Sequence, residues 1–293
     1  MTELITGLAV ASLAAVGLAG CSADDGGGDA NGGAVEAPEF AEGSMMAQFA
    51  EAGTIRIGTR FDQPLFGLAD ASGTPSGFDV EMGVLIAEEL GIPRDRIEWV
   101  ETTSQNREPF IQNSTVDLVV ANYTINDARK EVIDFAGPYY VAGQSLLVPE
   151  GNSAGLTTDV DSLAEQLEGL TVCATIGSTP NEKIREFTDD VLNVDKTTDC
   201  IEPLRTGQAD AMTTDNAILA GISAQNPGEF EVVPGAFTEE PYGIGLPKDN
   251  EEFRNWINDV LEAAYEDGRW QAAWEATIGD ELEMPEPPAP ERY

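Results

Sequence analysis

Hydrophobic residues follow two different periods along the first half of the chain. Residues 54–59 have the pattern of a buried strand, and residues 78–91 have helical spacing that ends in a glycine. A second strand is predicted at 97–100, a helix at 108–113 and a third strand at 116–121. Strands that alternate with helices predict an α/β fold with a parallel sheet, in which ligands bind at the carboxyl ends of the strands.

The same alternation starts again in the second half. The predicted elements are strands at 170–174 and 191–194 and helices at 181–187, 201–207 and 218–224. A chain of 293 residues is long enough for two lobes, each with its own core. Trp256, Trp270 and Trp274 have helical spacing, and we expect core packing from them rather than a binding face.

The N-terminus has the features of an export signal. Residues 4–20 form a short apolar run that ends in Leu18-Ala19-Gly20-Cys21 and turns at once to polar, glycine-rich sequence. Such a run favours a secretion signal over a membrane span. The Leu-Ala-Gly-Cys segment resembles a bacterial lipobox, which implies cleavage before Cys21 and lipidation of its thiol. The alternative is a plain signal peptide with an incidental cysteine, and Glu3 in a stretch without Lys or Arg departs from the usual pattern.

These features predict how the ends of the chain are used. We expect a lipoprotein signal peptide at 1–20, a lipid-anchored flexible tether at 21–52 and a Pro-rich tail at 284–293. The expected location is extracytoplasmic, with Cys21 anchoring the protein to the outer face of the cell membrane. In an exported protein the remaining cysteines, Cys173 and Cys200, favour a disulfide over two separate buried thiols.

Charge narrows the range of partners and activities. The chain has 53 acidic and 15 basic side chains and a formal net charge of −38, which disfavours nucleic acid and anionic membrane surfaces as partners. It has no histidine, so His-based triads, His general bases and His metal ligands are excluded. The motifs GxxxxGK[ST], GxSxG and paired CxxC do not occur in the sequence. We therefore expect no cofactor, no metal and no enzymatic activity.

Three segments carry a family resemblance. Residues 124–139, Thr-Ile-Asn-Asp-Ala-Arg-Lys-Glu followed by Val-Ile-Asp-Phe-Ala-Gly-Pro-Tyr, resemble the polar amino-acid-binding proteins of ABC importers, bacterial solute-binding protein family 3. Gly77-Phe78-Asp79-Val80-Glu81 and residues 210–215 support this at the expected places. The lipobox, the cysteine pair and residues 61–64, Phe-Asp-Gln-Pro, bring it closest to the glutamate-binding lipoproteins of Gram-positive bacteria.

The resemblance covers nearly the whole folded body and implies its architecture. The family has a two-lobed α/β fold of the periplasmic-binding-protein type (type II), with two hinge crossovers and the ligand in the interlobe cleft. Lobe 1 is then expected at 53–140 and 244–283, and lobe 2 at 141–243. The implied partners are a free amino acid and the permease and ATPase of an importer, and the expected state is a monomer. A solute-binding-fold enzyme and a sensor module are the rival classes.

The resemblance also assigns the groups that hold a free amino acid. Arg129 is placed at the α-carboxylate, where a planar guanidinium can make a bidentate contact. Asp215 is placed at the α-ammonium, with capping of the following helix as the alternative. Further hydrogen bonds are implied from both lobes, by Asn122, Thr124, Gly177, Ser178 and Thr179.

The identity of the ligand is expected to depend on two further arginines. Ser104-Gln105-Asn106-Arg107 is similar to a segment of glutamate/aspartate-binding members whose Ser and Arg contact the side-chain carboxylate. Arg60 falls where those members also have an arginine. Two cations favour an acidic ligand, glutamate or aspartate. The alternatives are structural ion pairs for both arginines, and glutamine or another polar amino acid as the ligand.

Overall fold

The structure, a computed structural model, describes residues 39–293; the predicted signal peptide, Cys21 and most of the predicted tether lie outside this range. The strands are β1 Ile55–Thr59, β2 Asp62–Gln63, β3 Gly67–Ala69, β4 Pro75–Ser76, β5 Ile97–Glu101, β6 Leu118–Val119, β7 Asp134–Ala142, β8 Gln144–Pro149, β9 Val172–Thr175, β10 Val191–Val194, β11 Ala211–Asp215, β12 Phe230–Val232 and β13 Glu240–Leu246. The helices are α1 Met45–Ala52, α2 Phe78–Glu89, α3 Arg107–Gln112, α4 Asp127–Lys130, α5 Val160–Gln166, α6 Thr179–Ile184, α7 Ile201–Thr206, α8 Asn216–Gln225, α9 Glu251–Asp267 and α10 Arg269–Thr277, with 3-10 turns at Arg94–Arg96 and Thr197–Cys200.

Two five-stranded sheets organise the molecule. The first sheet has the order β5-β1-β6-β13-β7 and the second has the order β10-β9-β11-β8-β12, while β2, β3 and β4 form a small third sheet. Strands β1, β5 and β6 are parallel, as predicted, but β13 pairs antiparallel with β6 and β7. In the second sheet β8 is antiparallel to β11 and β12. The strands predicted from the sequence are thus parallel in both sheets, and each sheet is mixed because β7, β8, β12 and β13, which were not predicted, join it antiparallel.

The chain passes twice between the two sheets. It leaves the first sheet at the end of β7 and enters the second at β8, with only Gly143 between the two strands. It returns between β12 and β13. Because β7 and β13 pair along most of their length, the two crossovers form one antiparallel ribbon. This is the two-lobed α/β architecture expected from the sequence.

Both ends of the described chain pack against the body. The tether was predicted to extend to residue 52, but residues 45–52 form α1, which begins at the Ser44 cap and buries Met46. That extent is therefore wrong. Phe49 lies 5.6 Å from the Phe253 ring of α9, and this apolar contact explains why the segment folds. In the Pro-rich tail, Glu291 N donates to the carbonyl of Gly137 on the edge strand β7.

Two packing predictions are confirmed. Trp270 and Trp274 of α10 are almost fully buried, and both rings pack edge-on against Phe78 of α2. Cys173 of β9 and Cys200 of the second 3-10 turn form the predicted disulfide. Within residues 39–293, no helix combines the length and the apolar character needed to cross a bilayer.

Candidate ligand-binding site

A small cavity lies between the two sheets. The carboxyl ends of β1, β5 and β6 converge on one side of it, as expected for an open α/β sheet. The loops after β9 and β11 and the turn Thr197–Cys200 face it from the second sheet. Its lining residues are Arg60, Gln63, Ser104, Arg107, Ala121, Asn122, Thr124, Thr175, Ser178, Thr179, Pro180, Thr197, Thr214, Asp215 and Ile218.

The structure brings most of the predicted site residues together. Those that line the cavity are Arg60, Ser104, Arg107, Asn122, Thr124, Ser178, Thr179 and Asp215. Two of the ten, Arg129 and Gly177, lie beside the cavity without lining it in the described part of the chain. Gly177 has φ +76°, and a Cβ there would lie 3.0 Å from Cγ of Gln105. Glycine at this position therefore allows the loops of the two lobes to approach closely.

Arg60 is held in a buried ion pair. Its Nε and one terminal nitrogen donate to the two carboxylate oxygens of Asp62 at 2.8 and 2.9 Å, and its other terminal nitrogen donates to Ser104 Oγ at 3.1 Å. Arg60 is 1% exposed and Asp62 7% exposed. The charge of Arg60 is therefore neutralised from within the same lobe, which is the structural alternative considered for it.

Arg129 is buried behind Thr124. One terminal nitrogen donates to the Thr124 carbonyl at 2.7 Å, and its Nε lies 3.2 Å from a carboxylate oxygen of Glu108. Its guanidinium also lies over the Tyr123 ring, 5.1 Å from the centroid. The α-carboxylate contact predicted for Arg129 thus requires that the side chain turn from these partners towards the cavity.

Arg107 is a buried cation with a different environment. It donates to the carbonyls of Ala121 and Asn122 at 3.1 and 3.3 Å and lies 4.3 Å over the Tyr123 ring. Among residues 39–293 it has no salt-bridge partner, and its buried Nε has no hydrogen-bond partner. Burial, reinforced by the charge of Arg129, lowers the pKa of Arg107 to about 9. An anion at this end of the cavity would restore the usual preference for the charged form.

Asp215 faces the cavity from the end of β11. One carboxylate oxygen accepts from the Tyr242 hydroxyl of β13, and the other, Oδ1, has no partner among the described residues. Burial, together with repulsion from Glu240, raises the pKa of Asp215 to about 7. Asp215 occupies the N-cap position of α8, but within residues 39–293 its side chain makes no capping hydrogen bond. The free oxygen is therefore available to an ammonium group.

Asn122 is positioned by the buried carboxylate of Asp79, which the sequence pointed to only as part of a family motif and not as a site residue. The Asn122 backbone has φ +45°, and its N–H donates to Asp79 Oδ2 at 2.8 Å. The other Asp79 oxygen accepts from the Tyr139 hydroxyl at 2.6 Å, and burial raises the pKa of Asp79 to about 6. Neither side-chain polar atom of Asn122 has a partner in residues 39–293. Asp79 thus fixes a left-handed turn that directs an uncommitted amide at the cavity.

The second lobe contributes mainly hydroxyl groups. Ser178 caps α6 by accepting from Asn181 N at 3.1 Å, and its hydroxyl donates to the Thr175 carbonyl at 2.7 Å. Thr179 donates to Glu240 at 2.8 Å, and its Oγ1 lies 3.2 Å from Thr124 Oγ1 of the first lobe. Hydrogen bonds therefore already cross the cleft, which is closed in this structure.

Several lining residues were missed from the sequence. Gln63 directly follows the Arg60–Asp62 segment, and the quoted Phe-Asp-Gln-Pro run was a signal that could have identified it. Thr175 ends a predicted strand and could have been inferred from that position. Thr197 had no local signal, because its place over the first lobe depends on the tertiary fold.

The fold and this cavity, polar on both faces and set between two lobes, define a solute-binding protein. Residues 55–279 match the bacterial extracellular solute-binding proteins, family 3, and the chain belongs to this family. It is an amino-acid solute-binding protein of the ABC-importer type.

Two relatives and one solved structure are similar to this chain over most of its length. The glutamate-binding protein GluB of Corynebacterium efficiens is 36% identical over 294 residues, covering 97% of this chain and 93% of the relative. The glutamine-binding protein of Geobacillus stearothermophilus is 32% identical over 252 residues, covering 85% of this chain and 94% of the relative. A solved ancestral arginine-binding protein bound to glutamine is 33% identical, with a TM-score of 0.70, and the match covers 78% of this chain and 98% of that one.

Proposed function

We propose that this protein binds an acidic amino acid, glutamate first, between its lobes and delivers it to the permease and ATPase of an ABC importer. Arg107 is the observation that carries the proposal. It is 3% exposed and lines the cavity, and it has no salt-bridge partner in residues 39–293. A buried cation without a counter-charge is costly, and a ligand carboxylate offsets that cost.

The rest of the pocket supports an amino-acid ligand. The free Oδ1 of Asp215 is the proposed partner of the α-ammonium group. The corner formed by Thr124 and Thr179, with Arg129 behind it, is the proposed site of the α-carboxylate. A second carboxylate, on the ligand side chain, then lies against Arg107. Asn122, Ser104 and Ser178 are proposed to supply further hydrogen bonds, and Gly177 to provide the close approach of the loops.

Glutamine is the second candidate, and one observation favours it. The Arg60–Asp62 pair is neutral, so the lining has one uncompensated cation, Arg107, and one uncompensated acid, Asp215. The α-carboxylate and α-ammonium groups of any amino acid balance those two charges. In that arrangement Arg107 binds the α-carboxylate and the ligand side chain is uncharged. A 32% identical relative is a glutamine-binding protein.

Calorimetric titration of the wild type and Arg107→Met with glutamate, aspartate, glutamine and asparagine separates the two candidates. For an acidic ligand we expect Arg107→Met to weaken glutamate by about 10- to 100-fold, because a charge-assisted hydrogen bond is lost, and glutamine by much less. Equal loss for both amino acids would assign Arg107 to the α-carboxylate. Binding of glutamine without glutamate by the wild type would refute acidic specificity. Arg96→Met, at an exposed position, is the matched control.

We also propose a lipid anchor at Cys21, a monomeric state and no enzymatic activity. For the lobes we propose limits of 53–140 with 244–283, and of 141–243. In support, strands β1, β5 and β6 of the first sheet lie within the first pair of ranges, and all five strands of the second sheet lie within 141–243. The family's extracellular location and the apolar run before Cys21 support the anchor. In cells fed a labelled fatty acid, the wild type is expected to carry label and to remain with the membrane. Cys21→Ala is expected to lose both properties, and equal retention would contradict the anchor.

A further inference from the structure

The Arg60–Asp62 ion pair of the first lobe is covered by a turn from the second. Thr197 N donates to Asp62 Oδ2 at 2.7 Å. Thr197 Oγ1 accepts from Arg60 at 3.3 Å and from Gln63 at 3.1 Å. Thr197 is 1% exposed, so water does not compete for these contacts. The carboxylate of Asp62 is thus shared between a guanidinium of its own lobe and a backbone N–H of the other lobe.

A disulfide fixes the turn that makes these contacts. Cys200, at the end of the turn Thr197–Cys200, is bonded to Cys173 in β9, which lies between two other strands of the second sheet. Thr197 Oγ1 also lies 3.2 Å from Oγ1 of Thr175, at the end of the same strand. The turn therefore moves with the second sheet as one body.

A second contact joins the same parts of the two lobes at the surface. Lys196, which precedes the turn, lies 2.5 Å from a carboxylate oxygen of Glu101 at the end of β5. Both side chains are exposed, with relative exposures of 44% and 43%. An exposed ion pair contributes little and is weakened by salt, so it is the minor partner of the buried contact.

We propose that Asp62 is a positioning residue for cleft closure. Its carboxylate accepts the hydrogen bond of Thr197 N, in the disulfide-anchored turn of the second lobe, when the lobes meet. We call this contact, together with the Arg60 side chain that holds Asp62, the latch. Arg60 then acts by holding Asp62 rather than by reading the ligand side chain. The contact stabilises the closed form whatever amino acid occupies the cavity. This inference rests on the proposed binding of an amino acid in the cleft.

The test removes the latch without changing net charge. In Arg60→Gln/Asp62→Asn both charges are lost together. Kd and dissociation rates for glutamate and glutamine are measured by calorimetry and stopped-flow displacement. We expect Kd to rise about 10-fold for both ligands, mainly through faster dissociation, because a charge-assisted bond of the closed form is lost. Selective loss of glutamate would overturn the latch and assign Arg60 to the ligand. An unchanged Kd would also overturn it.

Two further variants keep the proposal testable if the double variant does not fold. Cys173→Ala/Cys200→Ala frees the turn and is expected to speed dissociation of both ligands equally. Lys196→Ala is expected to weaken binding about 2-fold at low salt and not at 1 M salt. Lys183→Ala removes the same charge from a pair with Glu186 inside the second lobe, and is expected to change neither ligand. An equal effect of Lys183→Ala and Lys196→Ala would contradict a cross-cleft role.

X-ray scattering of the ligand-free protein in solution tests the latch independently of the proposed function. If the wild type binds glutamine better than glutamate, acidic specificity fails but the comparison between variants stands. With no amino acid present, the radius of gyration reports only the balance between open and closed forms. We expect it to be larger for Arg60→Gln/Asp62→Asn than for the wild type. Equal radii, together with an unchanged Kd, would refute the latch alone.

Discussion

Asp215→Asn is expected to stabilise the ligand-free protein at pH 8 while weakening amino-acid binding. Burial raises the pKa of Asp215 from its ordinary value of 3.8 to about 7. A carboxyl group whose pKa is raised by folding stabilises the folded state fully below the ordinary pKa. That contribution is lost as the pH rises through the folded-state value. Above pH 7 the folded protein therefore contains a buried carboxylate that lowers its stability.

The size of the effect follows from the same pKa. Each tenfold change in the proton equilibrium is worth about 1.4 kcal/mol, so ionised Asp215 costs on the order of 4 kcal/mol of folding free energy. Asparagine removes that cost, but its amide N–H group is buried without an acceptor, which costs about 1–3 kcal/mol. The net gain at pH 8 is about 1–3 kcal/mol, a rise in Tm of about 3–8 °C for a domain of this size.

Thermal unfolding measured by circular dichroism at pH 5 and pH 8 tests this reasoning. At pH 5 the wild-type carboxyl group is already mostly neutral in the folded state, so the substitution is expected to bring little gain there or a loss. Asp95→Asn, at an exposed position, controls for removing one negative charge from a chain of net charge −38. The argument would be refuted if the change in Tm caused by Asp215→Asn, relative to the wild type at the same pH, were less favourable at pH 8 than at pH 5.

Binding is expected to move in the opposite direction. The ligand ammonium group loses its charged partner, which corresponds to a 10- to 100-fold rise in Kd, on the order of 1.5–3 kcal/mol. Calorimetry at pH 8 measures this directly. Binding sites commonly contain residues that increase affinity for the ligand but lower the stability of the ligand-free protein, and Asp215 is expected to be one of them. Unchanged affinity for Asp215→Asn would place the ammonium group elsewhere.

Three further predictions follow from the site and the tail. At pH 7, ligand binding is expected to release up to about half a proton from Asp215, seen as a buffer-dependent calorimetric enthalpy that is much smaller at pH 8. Asp79→Asn is expected to raise Kd about 10-fold, measured by calorimetry, because Asp79 accepts from Asn122 N and so holds the turn whose carbonyl accepts from Arg107. Asp95→Asn, at an exposed position, is expected to have no effect. Tyr293→Ala is expected to lower the free energy of unfolding, measured with urea, by about 1–2 kcal/mol, because the Tyr293 ring contacts Lys130 and Arg254 and its hydroxyl accepts from Phe135 N. A decrease smaller than the error of the fit would show that the tail does not stabilise the fold.

Hydrophobic periodicity predicted the elements that are amphipathic or uniformly apolar. Helix α2 and strand β5 lie within two residues of their predicted bounds. Helix α2 is buried over most of its length, and a long apolar run that ends in a glycine is enough to predict such a helix. Strands β7 and β13 were not predicted. Their pairing joins residues about 100 positions apart, such as Ala142 and Glu240, and no local period encodes such a contact. Helix α1 was missed for a related reason, since its apolar residues are buried by α9 from the far end of the chain.

The sequence by itself determined the class of protein and most of the side chains that reach the cavity from the first lobe. Residues that follow strands of a parallel set must meet at one edge, so the positions of Arg60, Arg107 and Asn122 after their strands are enough to place them together. Only the tertiary structure decided which of these charges is available. Arg60 is neutralised by Asp62 and covered by Thr197, 137 residues away, whereas Arg107 is buried with carbonyl groups and an aromatic ring. The physical reason is that the availability of a buried charge depends on the distance to its counter-charge. In the folded chain that distance is set by segments remote in sequence.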